Sequence, residues 1–191
     1  MCSPNDPPPA YQALLEWMAQ QDGHLHESVQ LARDDARGVH LQVRKDWQDG
    51  RVPRETRVIK TPLSSTMSYF NAVDHRLPAG SVAGGNTFSA HGLRLPKAFM
   101  DVVGAEEASV FFLMGQYLKG AEGFWAPYIQ TLPQPGELTT PLYYEGEDLE
   151  WLDGTSLVAA REQKGKLFRE KYEFAVGELR KTGFEAGAYT W

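Results

Sequence analysis

Apolar residues recur along this chain with two different periods, and the change from one to the other divides it. Tyr11, Leu14, Leu15 and Met18 fall at i, i+3, i+4 and i+7, one stripe of a short helix over Tyr11 to Gln21, which Pro9 can open and Gly23 can close. From Val29 to Val43 the runs become short: Val29 and Leu31, the turn-like Asp34-Asp35-Ala36-Arg37-Gly38, then Val39, Leu41 and Val43 in strict alternation. That pattern predicts two strands joined by a tight connection, a β-hairpin. A further strand is predicted over Thr56 to Thr61, ended by Pro62, which cannot donate to a ladder. Leu77 to Pro96, with Gly80, Gly84, Gly85 and Gly92 among small polar residues, reads as a loop or weak strand segment.

Beyond Pro96 the period turns helical, with Ala98-Phe99-Val102-Val103 and then Val110, Phe111, Met114, Tyr117 and Leu118. Glu145 to Leu152 is a short acidic helix candidate, and Phe168, Tyr172, Val176 and Leu179 mark a helix through Arg161 to Lys181, with Glu162 and Lys166 at i,i+4 for support. The order is β-rich first and α-rich second, which predicts an α+β chain in three parts. These are a tail and helix over residues 1–22, a small β-rich portion over 23–96, and a mostly helical region over 97–191. There is no internal repeat.

With 191 residues and 42% hydrophobic composition the chain can bury a substantial core. Its net charge of -6 provides no surplus of Lys and Arg for phosphates, so general nucleic-acid binding is not expected. Cys2 is the only cysteine, which precludes an intrachain disulfide and an all-cysteine zinc site and fits a reducing compartment. Met1 to Ala10 is polar with four prolines and lacks the basic start and apolar stretch of a secretory signal. No apolar run approaches the roughly 20 residues needed to cross a bilayer. We expect a cytoplasmic or nuclear protein without a membrane partner.

The histidines His24, His26, His40, His75 and His91 include no pair at the spacing of a zinc-protease helix, so no metal site is expected, although His24 and His26 could share a strand face. Asp34 and Asp35 are adjacent, would point to opposite sides of an extended chain, and read as turn residues. Ser64-Ser65-Thr66 lacks the surrounding glycines of a nucleophile elbow and reads as a turn or cap, and Gly84-Gly85 lacks either phosphate-binding glycine pattern. The aromatics Phe124-Trp125, Tyr128, Tyr143-Tyr144 and Trp151 concentrate in one third of the chain, and packing is the ordinary reason, with a cleft or partner surface as the alternative.

Two segments taken together resemble a known family. Val29 to Arg33, Ala36 to Leu41 and Val58 to Ser64 are similar to the opening of SET domains: a strand, a G-R-G-V-like turn, and a strand ending in proline. Phe112 to Gly120, Phe124 to Ile129 with Leu132-Pro133, and Leu149 to Thr155 resemble the helical insert of the RuBisCO-methyltransferase-like and SETD3-like branch of SET-domain protein-lysine methyltransferases. The resemblance spans nearly all of the chain after Pro9. It implies S-adenosylmethionine as cofactor, contacted by the turn Ala36-Arg37-Gly38, where Ala36 stands in place of the family's first glycine.

Family members carry an Asn-His pair for the cofactor after the insert and later a tyrosine that closes the lysine channel; neither follows Trp191 here. The resemblance therefore implies a truncated or shortened homologue, unable to transfer methyl groups alone, because transfer needs amine and methyl sulfonium aligned in a narrow dry channel. No catalytic residue is assigned, and whether the chain is an enzyme stays open. So do two alternatives: a repurposed protein that binds or transforms a small molecule, and a non-catalytic interaction partner. A protein substrate, a completing chain and a homo-oligomer are the partners these readings leave open.

Overall fold

The computed structural model describes residues 7–47, 50–76 and 88–191. Helix α1 runs Pro9–Gln20, followed by strands β1 (His24–Leu25), β2 (Val29–Asp34), β3 (Gly38–Val43) and β4 (Ile59–Lys60). Helices α2 (Tyr69–Ala72), α3 (Lys97–Leu118), α4 (Ala126–Ile129) and α5 (Leu157–Lys181) follow, with short 3-10 turns between them. Half of the chain is helical and the strands make two small antiparallel sheets, so the chain is α+β, as the pattern predicts. Among the described residues no helix is long and apolar enough to cross a membrane. Cys2 and the Gly80, Gly84 and Gly85 cluster lie outside the described residues.

The predicted hairpin forms with β2 antiparallel to β3 from Val29↔Val43 to Asp34↔Gly38. Its loop is Asp35-Ala36-Arg37, and Gly38, at φ 64°, takes the left-handed conformation where that three-residue connection enters β3. A Cβ on Gly38 would meet nothing within 4 Å, so the glycine answers to backbone conformation and not to a close neighbour. Gly38→Ala is therefore expected to cost about 1–2 kcal/mol through left-handed strain alone, read as a lower urea midpoint, whereas Gly38→Asn should keep most of the stability.

The Thr56 to Thr61 strand shrinks to Ile59–Lys60, because its partner β1 has two residues: His24↔Lys60 and Leu25↔Ile59. Pro62 ends it as expected, and its carbonyl accepts Ser65 Oγ at 2.9 Å and Thr66 Oγ1 at 3.1 Å, the turn role read for that hydroxyl run. At the end of α1 the left-handed position falls to Asp22, φ 64°, while Gly23 N donates to Met18 O at 2.7 Å. A Cβ on Gly23 would lie 2.6 Å from that oxygen, so a glycine closes the helix by permitting close approach.

The core lies in the helical part. Phe99, Phe111 and Phe112 of α3, Trp125 at the N-cap of α4, and Val176 and Leu179 of α5 are all nearly inaccessible. Gly104, at φ 87° and ψ 176°, interrupts α3, so the two apolar runs read from the sequence are two helical stretches at an angle. Val102, Val110, Tyr117 and Leu118 are exposed although they lie in those runs. Trp17 of α1 meets Phe124 edge-on at 5.3 Å, and Tyr11 donates to Thr131 O at 3.3 Å, so the first helix packs beside α4. Trp125 Nε1 donates to Ser65 O at 2.9 Å, tying the turn after β4 to the helices. The acidic stretch predicted as a helix is a 3-10 segment, Gly146–Leu152, and the expected Glu162–Lys166 pair gives way to Lys166–Glu170 at 3.8 Å.

Candidate functional site

Ala36, Arg37 and Gly38 come together at the exposed tip of the β2–β3 hairpin. Asp34 organises that tip. Its Oδ1 accepts the backbone N–H of Ala36 at 3.1 Å and of Arg37 at 2.7 Å, and its Oδ2 accepts Arg37 Nε at 2.8 Å. The Arg37 guanidinium and N–H hold the Asp34 carboxyl below the usual carboxylate range. A lowered carboxyl binds fewer protons folded than unfolded, so the turn is supported above the ordinary Asp range and loosens as acid takes the pH through the lowered value. Asp34 is thus a turn residue, as its position beside Asp35 suggested, and not half of an acid–base pair.

A ligand at this tip would find two of its three N–H groups engaged by Asp34. The groups left for it are the carbonyls of Ala36 and Arg37, which accept no hydrogen bond among the described residues, and open space over Gly38. That fit extends to a backbone contact along one edge. The clefts that flank the aromatic helices do not reach the tip.

Those clefts lie elsewhere. One, of about 490 Å3, runs between α3 and α5 and is lined by Val110, Phe111, Met114, Phe168, Tyr172 and Trp191. At its edge Lys171 Nζ sits 2.7 Å from Glu107 Oε1 and 3.1 Å from Glu106 Oε2. Hydrogen bonding to Glu107 and Glu106 raises the lysine, and Lys171 in turn lowers Glu107, so both stay charged. A second cleft, of about 860 Å3, is lined by Tyr143, Tyr144 and Trp151 with Glu145 and Asp148. The sequence marked Phe124-Trp125, Tyr128, Tyr143-Tyr144 and Trp151 as one concentration without separating core from surface; the structure buries Trp125 to 1% exposure and leaves Trp151 at 82%. The Lys171 cluster joins positions 65 apart and had no signal in the sequence.

His91 stacks on Phe124 with centroids 3.5 Å apart and meets Trp125 edge-on at 4.9 Å. Burial among these rings, with a smaller contribution from Lys119, pushes the imidazole below its ordinary value, against the pull of Asp74. Its backbone is left-handed at φ 43°, and its carbonyl accepts Lys119 Nζ at 2.7 Å. His26 Nδ1 lies 2.7 Å from Ser28 Oγ, but Ser28 is fully buried and its N–H also points at that nitrogen, a local turn and not an exposed nucleophile. His24 and His26 face each other edge-on at 6.3 Å. Among the described residues no group of three His, Cys, Asp or Glu side chains is placed to hold a metal ion. No protein-family model, no curated protein and no solved structure matches this chain.

Proposed function

We propose that this chain carries the front strands and helical insert of a SET-domain protein, related to S-adenosylmethionine-dependent protein-lysine N-methyltransferases. The observation that carries the reading is an order of features. A strand–turn–strand unit with Ala36-Arg37-Gly38 at its tip precedes a short strand ending at Pro62, and an aromatic helical block follows in which Phe112, Phe124 and Trp125 pack together. The division into 1–22, 23–96 and 97–191 belongs to this reading. When bound, S-adenosylmethionine supplies an electrophilic methyl group. The role of this chain's residues is to bind along the hairpin tip, through the Ala36 and Arg37 carbonyls beside a glycine that leaves the approach open. None of the asparagines Asn5, Asn71 and Asn86 is followed by histidine, so the pair the family uses is not among these residues.

Calorimetry tests the cofactor contact. S-adenosylmethionine is expected to give a saturable micromolar isotherm with the purified chain, displaced by S-adenosylhomocysteine, while residues 1–191 alone incorporate no labelled methyl group into lysine-containing protein. A flat titration would remove the cofactor from the reading, and methyl transfer by these residues alone would remove the dependence on a completing chain. The exposed Val110, Tyr117 and Leu118 on α3 support the second reading, a face that a completing chain or another partner covers.

A further inference from the structure

We propose that the cleft lined by Tyr143, Tyr144 and Trp151 binds a lysine- or arginine-rich peptide segment. The proposal stands on that cleft's own chemistry and is independent of the cofactor reading.

Two separate properties meet there. The first is exposed aromatic surface of the kind that recognises cations. Trp151 is 82% exposed and Tyr143 50%, at the margin of a cleft of about 860 Å3, large enough for several residues of a peptide. The exposure is held in place by local structure. Leu152, the next residue, is buried at 4% and its carbonyl accepts Thr155 Oγ1 at 2.6 Å, so the 3-10 segment Gly146–Leu152 is pinned inward at its end and presents Trp151 outward. On the other side the Arg161 guanidinium donates to Pro141 O at 3.0 Å and Tyr144 O at 3.2 Å, fixing the backbone that bears both tyrosines. An indole and two phenols on an anchored backbone offer rigid, electron-rich faces, and a cation over such a face is attracted by the ring quadrupole.

The second property is charge. From Gly120 to Ala160 the chain carries seven carboxylates and no Lys, Arg or His, so this one stretch holds more negative charge than the net -6 of the whole. Glu145 and Asp148 line the cleft itself. Among the described residues none of the seven is in an ion pair, whereas Glu106, Glu107, Glu170, Glu173 and Glu178 each have one on the neighbouring helices. The cation next in sequence, Arg161, is committed to carbonyl groups. An anionic partner would be repelled, and a purely apolar peptide would leave the rim carboxylates unused. A flexible polycation complements both the ring faces and these unpaired carboxylates.

The test is fluorescence anisotropy of fluorescein-labelled hexalysine titrated with the full chain at low and at physiological salt. Binding is expected in the micromolar range at low salt, weakening as salt rises, with hexaglutamate giving no change. Trp151→Ala is expected to weaken binding about fivefold, and the double change Glu145→Gln with Asp148→Asn about tenfold. The side chains altered are all exposed, so circular-dichroism melts should stay at the parent temperature and certify the fold. No binding at low salt would overturn the proposal. So would a Trp151→Ala variant that is folded yet binds as the parent does, since diffuse charge would then be the whole effect. Either failure leaves the calorimetric result at the hairpin tip unaffected.

Discussion

Trp125→Ala is expected to remove about 3–5 kcal/mol of unfolding free energy, which for a domain of this size lowers the melting temperature by roughly 6–20 °C. The indole is 1% exposed and meets Phe112 at 5.6 Å, Phe124 at 5.0 Å and His91 at 4.9 Å, all nearly perpendicular. Truncation therefore opens a void beneath three aromatic neighbours that are themselves anchored, so little collapse can fill it. The same change removes the donor to Ser65 O, the link between the turn after β4 and the helices. Trp125→Phe separates the two contributions. It keeps most of the ring packing and leaves the Ser65 carbonyl without its donor, an expected loss of about 1–3 kcal/mol. Urea and thermal unfolding of the three proteins are the measurements. An alanine variant that melts within about 2 °C of the parent, less than 1 kcal/mol at this chain length, would show that Trp125 is not an anchor.

Gly115→Val is expected to destabilise the chain by about 2–3 kcal/mol through overpacking and to release the C-terminal residues from α3. A Cβ at Gly115 falls on the Leu93 side chain and on the Tyr189 hydroxyl. Leu93 belongs to the segment that leads into α3, and Tyr189, 4% exposed, stacks on Phe111 at 5.6 Å. Its carbonyl also accepts Tyr172 Oη at 2.8 Å, so pushing Tyr189 away breaks a hydrogen bond as well as a stack. Helix propensity works in the opposite sense, since any side chain gains over glycine by up to about 1 kcal/mol, and Gly115→Ala should therefore cost less than valine. Gly177 on α5, where a Cβ meets nothing within 4 Å, is the control: Gly177→Ala should stabilise by about 0.5–1 kcal/mol. Limited proteolysis near Ala186 in the Gly115→Val protein reads the release. Equal protection of valine variant and parent would mean that the tail does not lean on Gly115.

Features that depend on neighbours in sequence were legible in the chain. The hairpin is one: Asp34 accepts two N–H groups within three residues of itself, and Gly38 supplies the left-handed position, so the turn is specified by five consecutive residues. The long C-terminal helix is another, with Val176 and Leu179 of its predicted stripe in the core. Its N-terminal bound moved to Leu157, and its expected i,i+4 pair at Glu162 was replaced by Lys166–Glu170, because several partners sit at equivalent spacing on one helix.

What the alternation of the strands left undetermined is which face is covered. Leu41 lies in the apolar set yet is 40% exposed, while Ala32, in the opposite set, is 8% exposed. A period of two names two faces and is silent on what packs against either. The Ala36-Arg37-Gly38 turn shows the same limit. Its residues are contiguous and easily read, but whether their N–H groups face a ligand depends on a side chain that, here, takes two of the three for itself.

By itself the sequence determined the α+β order, the hairpin and its turn, the helix that closes the chain, and a concentration of aromatic and acidic residues after Leu118. Only the tertiary structure decided that Trp125 is core and Trp151 surface, that Gly104 bends α3, and that Lys171 meets Glu106 and Glu107. For the burial and the pairing the physical reason is the same. Turns and helical stripes follow from interactions over a few residues, whereas burial and long-range pairing depend on which elements come to lie against one another, and that is settled by the packing of the whole chain.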